Sequence, residues 1–273
     1  MYSQYWNLDS QPFENDADPA FFFRSRTHQA ALLKLKYLID ANKGCGLLVG
    51  ASGVGKSYIT RLLIDELGES AGPVVFVRYP FLTPDELIAF VAAELGADEE
   101  ALQRNGDRFD FVLRRLQERL GHFAHEARHP LIVIEEAHLI DDQKLFHAIK
   151  LLLNYRDDAR FTVLMCGQPS LLSRIERLDE LNECIGVKSL IHPLSREESA
   201  EYVQHRLSVA GLTDSVFDES SLDEIHELSG GIPRRINRIA DLSLLVGYAD
   251  GMTSIGPRDV ESVADEIGLS ITG

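Results

Sequence analysis

Gly46-Leu-Leu-Val-Gly50-Ala-Ser-Gly-Val-Gly55-Lys56-Ser57 is the stretch that decides how the rest of the chain is read. Its last eight residues match G-x-x-x-x-G-K-[ST] in full. They follow a short apolar run and open a helical pattern from Lys56 to Leu67, which is the context a phosphate-cradling loop needs. Glycines let the backbone fold tightly enough for its N–H groups to face phosphate oxygens. The following helix adds partial positive charge at its N-terminus. The nucleotide-binding candidates are therefore Gly50, Ser52, Gly53, Val54, Gly55, Lys56, Ser57 and Tyr58. Lys56 would reach the β- and γ-phosphates, and the Ser57 hydroxyl would ligate Mg²⁺.

A second stretch, Leu131-Ile-Val-Ile-Glu135-Glu136, ends an apolar strand in two adjacent carboxylates 79 residues after Lys56. Placed beside the P-loop strand, Glu135 would enter the Mg²⁺ shell, and Glu136 would orient and polarise the attacking water. Asp is usual at the first position. The extra methylene of Glu135 lengthens the reach by roughly 1.5 Å, so the metal shell must shift or a water must bridge. Phe161-Thr-Val-Leu-Met165 leads into Cys166-Gly-Gln168-Pro169. Gln168, at the end of a strand next to the carboxylate strand, is a candidate for contact with the γ-phosphate or the water. A plain turn residue would look the same.

Around these stretches the chain alternates. Helices are expected over 28–39, 56–67, 84–95, 109–127 and 141–153, with Thr83 capping and Pro84 opening the third. Short buried strands are expected over 46–49, 74–77, 131–134 and 161–165. That alternation means a parallel sheet covered on both faces. Near Pro193 the pattern changes to helices alone: 195–210, opened by the capping box Ser195-Arg-Glu-Glu198, then 219–228, 233–248 and 257–267. The expected partition is a nucleotide-binding α/β core over 1–193 and an all-α lid over 194–273. The lid holds 6 Lys+Arg against 15 Asp+Glu. Within it, Gly230-Gly-Ile-Pro-Arg234-Arg235 starts a helix with two arginines. Arg234 could reach back to nucleotide phosphates, while Arg235 and Arg238 face solvent or acidic neighbours.

Residues 1–30 are rich in aromatics and turn formers, which argues for a segment packed on the body. His122, His125 and His129 with Glu126 invite a metal reading, since a 125/129 spacing sets two imidazoles on one helical face. An amphipathic helix end stopped by Pro130, with histidines suited to the helix dipole, explains them more simply. Cys45, Cys166 and Cys184 lack metal spacing and each adjoins an apolar run, so buried reduced thiols are expected.

The 273 residues can bury a substantial core in one large or two modest domains. With 27 Lys+Arg against 43 Asp+Glu, the net charge is −16, which on average repels nucleic acid and anionic lipid. No apolar run approaches the roughly 18 residues of a membrane span, and Met1-Tyr-Ser-Gln-Tyr-Trp lacks the basic and apolar regions of a signal peptide. A cytoplasmic location is expected.

Together, a P-loop, an acidic strand end, a polar strand end and a G-x-P-R in a helical lid resemble the AAA+ ATPases, most closely the ExeA/GspA type that serves secretion, pilus biogenesis and polysaccharide export. Three stretches carry this likeness: Gln11-Pro-Phe13 with Asp18-Pro-Ala-Phe-Phe22 and His28; Cys166-Gly-Gln-Pro-Ser-Leu171; and Pro193-Leu-Ser195 through His205-Arg-Leu207 and Ala210-Gly211 to Gly231-Ile-Pro-Arg-Arg-Ile-Asn237. The resemblance implies an α/β P-loop NTPase with a doubly wound parallel five-stranded sheet plus a small all-α lid. It implies ATP and Mg²⁺ as ligands, ring-like homo-oligomers, envelope secretion or export proteins as partners, and Phe13, Phe23 and His28 on the adenine side. In such proteins the segment before Pro193-Leu194 usually carries arginines that reach a neighbour's ATP, a contact worth about 10³–10⁵ in rate. Here those places hold Cys184 and Lys188, and a lysine is a point charge where the arginine is a planar fork. Arg174 and Arg177 lie near enough to serve instead. Secretion members often continue into a membrane span and a cell-wall-binding domain. These residues carry neither, so no envelope anchoring is expected of them.

Three functions fit: an ATPase with Lys56, Glu136, Gln168 and Arg234 as its catalytic groups; a nucleotide-gated scaffold with slow hydrolysis; and a DNA-directed regulator. Arg234, Arg235 and Arg238 favour the last, and the acidic charge opposes it.

Overall fold

The computed structural model describes residues 2–15, 18–68, 71–78, 80–98, 109–154, 160–212 and 215–268. Within them the chain divides into two units. The first contains Thr27–Ala51 and Ile59–Ile191; the second contains Met1–Arg26, Ser52–Tyr58 and His192–Gly273.

The first unit is built on a five-stranded sheet of β1 (Cys45–Gly50), β2 (Ala71–Val77), β3 (His129–Ile134), β4 (Thr162–Gly167) and β5 (Ile185–Ile191). All pairings are parallel and the order is β2-β3-β4-β1-β5. Every residue of β1 and β4 is buried, because helices cover both faces. Leu47, Val49, Ile132, Ile134, Val163 and Met165 join one core with α4 (Pro84–Glu94), α5 (Phe109–His125) and α6 (Gln143–Leu153). On the opposite face a Cβ on Gly46 would meet Leu38 of α2 (Arg26–Asp40), and Thr60 of α3 (Lys56–Leu67) touches the Cys166 sulfur at 3.8 Å.

The expected α/β class and the four strands read from the residues are present. β5 is the strand that the local pattern does not reveal. It alternates Val187, Ser189 and Ile191 inside with Gly186, Lys188 and Leu190 outside, as an edge strand covered on one face does. A second expectation needs correction. β4 lies between β1 and β3, so the carboxylate strand is not beside the P-loop strand but one strand further out. The helix expected over 109–127 is also shorter than read, so the 125/129 spacing is not a helical one. α5 stops at His125, Ala127 takes φ 55°, and His129 opens β3, where its Nε2 lies 2.9 Å from the Thr162 hydroxyl. Cys45 and Cys166 are buried as expected, whereas Cys184 is only half-buried.

In the second unit, α9 (Arg196–Val209), α10 (Glu219–Ser229), α11 (Pro233–Ala249) and α12 (Pro257–Glu266) enclose a separate core around Ile225, Ile236, Ile239 and Leu244. The capping box at Ser195 and Glu198 forms, since each side chain satisfies the other's backbone N–H. The aromatic N-terminal segment packs into this core, although the expected partition assigns it to residues 1–193. Tyr2, Trp6, Leu8 and Phe13 are buried with the lid helices, and the Trp6 indole donates to the Leu244 carbonyl at 2.9 Å. Arg206 ties the segment down through the carbonyls of Pro12 and Glu14 and lies 4.6 Å from the centre of the Phe21 ring.

Gly231 fixes the entry to α11. Its φ is +68°, a Cβ there would fall 2.1 Å from the Leu194 carbonyl oxygen, and its own carbonyl accepts from Leu194 N–H at 2.8 Å. Gly231→Ala is expected to destabilise the helical unit by about 2–3 kcal/mol, read as a lower urea midpoint.

Candidate functional site

Parallel strands end on one edge of their sheet, and the candidate residues follow those ends. Gly50 closes β1 and the P-loop continues from it. Glu135 follows β3, and its N–H extends the ladder by donating to the Val77 carbonyl at 2.9 Å. Gln168 follows β4. The β1 connection leads toward β2 and the β4 connection leads toward β5, in opposite directions across the sheet. The carboxyl ends of β1 and β4 therefore flank a topological switch point, where open α/β sheets bind ligands. Gln168 follows the strand that lies between the P-loop strand and the carboxylate strand.

The P-loop has the backbone that a phosphate cradle requires. Gly53 and Gly55 take φ +82° and +103°, conformations open to glycine at little strain. Lys56 is the first residue of the twelve-residue α3 and is buried to 9% exposure, while Ser57 is exposed. This set of backbone donors, an ammonium and a hydroxyl suits a magnesium-bound polyphosphate. In the helical unit Arg234 packs directly on this loop. Its N–H donates to the Gly53 carbonyl at 3.2 Å, and a Cβ on Gly53 would lie 2.9 Å from Arg234 Cβ. The guanidinium of Arg234 is exposed and has no ion pair among the described residues; the same is true of Arg235 and Arg238.

Tyr58 also ties the loop to the N-terminal segment. Its hydroxyl donates to the Asp18 carbonyl, and its ring stacks on Phe22 with centroids 5.6 Å apart at 15°. Burial pushes the Tyr58 phenol up to about 12, so it stays a donor at physiological pH. Phe23 is half-buried, 5.8 Å from Tyr202 and 5.9 Å from His205. Phe13 is 3% exposed in the helical core, so its ring serves packing there. His28 is buried on α2, in the other unit.

Glu135 is half-buried and Glu136 exposed. Glu136 adopts the left-handed conformation at φ 49°, ψ 33° and caps the 3₁₀ turn Ala137–Leu139. For a side chain with a Cβ this costs on the order of 1–2 kcal/mol, and such strain persists only where the surroundings impose it. His138, two residues on, faces the Glu136 carboxylate, a neighbour not picked out from the sequence. The signal was the Glu-Glu-Ala-His run itself, in which one sharp turn folds the histidine back.

The cationic candidates near the sheet separate clearly. Arg174, on α7 (Ser170–Ile175), donates to the Ile140 carbonyl and pairs with Asp141 at 3.0 Å. Lys188 donates to the Asn182 side chain at 2.7 Å, and the Cys184 thiol to the Glu180 carbonyl at 3.3 Å. Arg177, between α7 and α8 (Asp179–Glu183), is exposed and has no side-chain partner among the described residues.

Comparison with known proteins agrees with this anatomy. Residues 39–175, from the end of α2 through α7, match the AAA domain model. General secretion pathway protein A of Aeromonas hydrophila is 32% identical over 273 residues, covering 98% of this chain. The chain spans about half of that relative, 48% of its length. Among solved structures, the Aeropyrum pernix ORC2 protein in its ADPNP-ADP complexes superposes with a TM-score of 0.72 at 16% identity, over 97% of this chain and 72% of that one. Drosophila ORC bound to DNA superposes with a TM-score of 0.72 at 14% identity, over 99% of this chain and 67% of that one. At such identities the two structures establish the fold alone. With a P-loop following β1, two carboxylates following β3 and a family match across half its length, the chain belongs to the AAA-domain family and is similar along nearly its whole length to general secretion pathway protein A.

Proposed function

We propose that the protein binds ATP with Mg²⁺ and hydrolyses it to ADP and phosphate. The observation that carries this reading is the P-loop backbone, with two positive-φ glycines between a buried strand and a twelve-residue helix that starts on a buried lysine. The loop N–H groups and Lys56 hold the β- and γ-phosphates, with Gly50, Ser52, Gly53, Val54, Gly55 and Tyr58 shaping the cradle. Ser57 and Glu135 hold the Mg²⁺, which when bound draws charge from the phosphates. Glu136 accepts a proton from the water as its oxygen attacks the γ-phosphorus, and the breaking bond leaves its electron pair on the bridging oxygen of ADP. Gln168 contacts the γ-phosphate or that water. Arg234 adds positive charge from the lid over 194–273, and Phe23 and His28 border the adenine.

The likeness to general secretion pathway protein A supports a role in assembling an envelope secretion or export machine, acting on the cytoplasmic side where ATP is supplied, as a homo-oligomer. No helix among the described residues is long and apolar enough to cross a membrane. In such an oligomer Arg177 is the cation available to a neighbour's ATP, since Arg174 and Lys188 are already engaged.

Phosphate release from MgATP at rising protein concentration tests this. The rate per molecule is expected to climb as neighbours complete each site, and Arg177→Ala is expected to flatten that climb to the dilute-limit rate. Glu135 favours a second reading, a nucleotide-gated scaffold. Bound ATP with turnover no higher than that of Lys56→Ala at every concentration would establish it. Salt-sensitive duplex binding in the presence of ATP would instead favour a DNA-directed role through Arg234, Arg235 and Arg238.

A further inference from the structure

We propose that His138 is a positioning residue for Glu136, holding the carboxylate that activates water; this rests on the ATPase reading. The His138 side chain is 10% exposed, and its Nδ1 is fully buried without a hydrogen bond. That nitrogen lies 3.4 Å from Glu136 Oε2, within reach of the carboxylate but not aligned to bond it. A buried ring nitrogen without a bond is costly, and catalytic contacts that are loose without ligand tighten when substrate arrives.

The backbone is shaped for this pairing. The left-handed Glu136 turns the chain into the 3₁₀ turn, and the Leu139 N–H closes it on the Glu136 carbonyl at 2.8 Å. The turn then rests on the end of β4. A Cβ on Gly167 would fall 3.1 Å from the His138 backbone nitrogen, and Gly167 immediately precedes Gln168. The backbone that carries the imidazole is thus held against β4, with the ring 10% exposed and the Glu136 carboxylate 51% exposed. With a proton on Nδ1, the ring donates to one Glu136 oxygen and leaves the other for water. His138 touches neither water nor phosphate in this role.

Two substitutions separate positioning from packing. Leucine keeps the bulk but has no polar atom. Asparagine puts an amide nitrogen where Nδ1 sits. His138→Leu is expected to lower kcat about 10- to 100-fold with KM changed no more than about twofold, and His138→Asn to recover most of that loss. ATP-induced thermal stabilisation, equal to that of the parent in both variants, serves as the folding and binding control. Equal losses in both variants, with that stabilisation intact, would reduce His138 to a packing residue and overturn the proposal. Parent-like turnover in His138→Leu would overturn it too while leaving the ATPase reading standing. A parent no faster than Lys56→Ala would overturn both.

Discussion

Glu136→Gln is expected to reduce phosphate release about 10²–10³-fold while ATP still binds, because glutamine keeps the shape of the side chain but cannot accept the proton of water. Binding survives because the P-loop and Lys56, not Glu136, hold the phosphates. The trapped ATP state is then expected to persist as an oligomer in size measurements made with MgATP present. Glu136→Gly gives a complementary result. Glycine relieves the left-handed strain at φ 49°, so the urea midpoint should rise by the equivalent of about 1 kcal/mol while turnover falls as far as in the glutamine variant. Stability gained and activity lost at one position would show that the strain is retained for the site. Parent-like hydrolysis in Glu136→Gln would remove Glu136 from the chemistry.

Lys56→Ala is expected to abolish the response to nucleotide altogether. Lys56 is a buried cation at the head of α3, where the helix terminus adds to its field, and a polyphosphate deprived of it loses the one buried ammonium of the cradle. At a ligand concentration of about 100 Kd the parent should gain about 2.7 kcal/mol. For a chain of this size that is a melting shift of about 5–10 °C. The alanine variant should show none at the same ATP concentration. A full shift in the variant would place the phosphates elsewhere.

Much of this was legible residue by residue. The strands buried on both faces announce themselves as apolar runs, and the Thr83 and Ser195 capping boxes are local patterns that close as written. The P-loop is readable because its demands are local: glycines where φ is positive, and a lysine and a serine opening a helix. β5 was hidden because an edge strand buries one face and carries Gly186, Lys188 and Leu190 on the other. The spacing of His125 and His129 is not a helical one, because α5 ends at His125, Ala127 takes φ 55° and His129 opens β3.

The α/β class, the glycine-rich loop and the two carboxylates can be read from the chain, since each depends on periodicity or on neighbours a few residues away. Tertiary packing settles which strands adjoin and which charges are already engaged. It alone inserts β4 between the P-loop strand and the carboxylate strand, packs the aromatic segment among the lid helices, occupies Arg174 with Ile140 and Asp141, and turns His138 toward Glu136. Those are contacts between groups brought together by burying both faces of one sheet and the interior of one bundle, and no short-range pattern encodes which of several chemically equal partners burial will select.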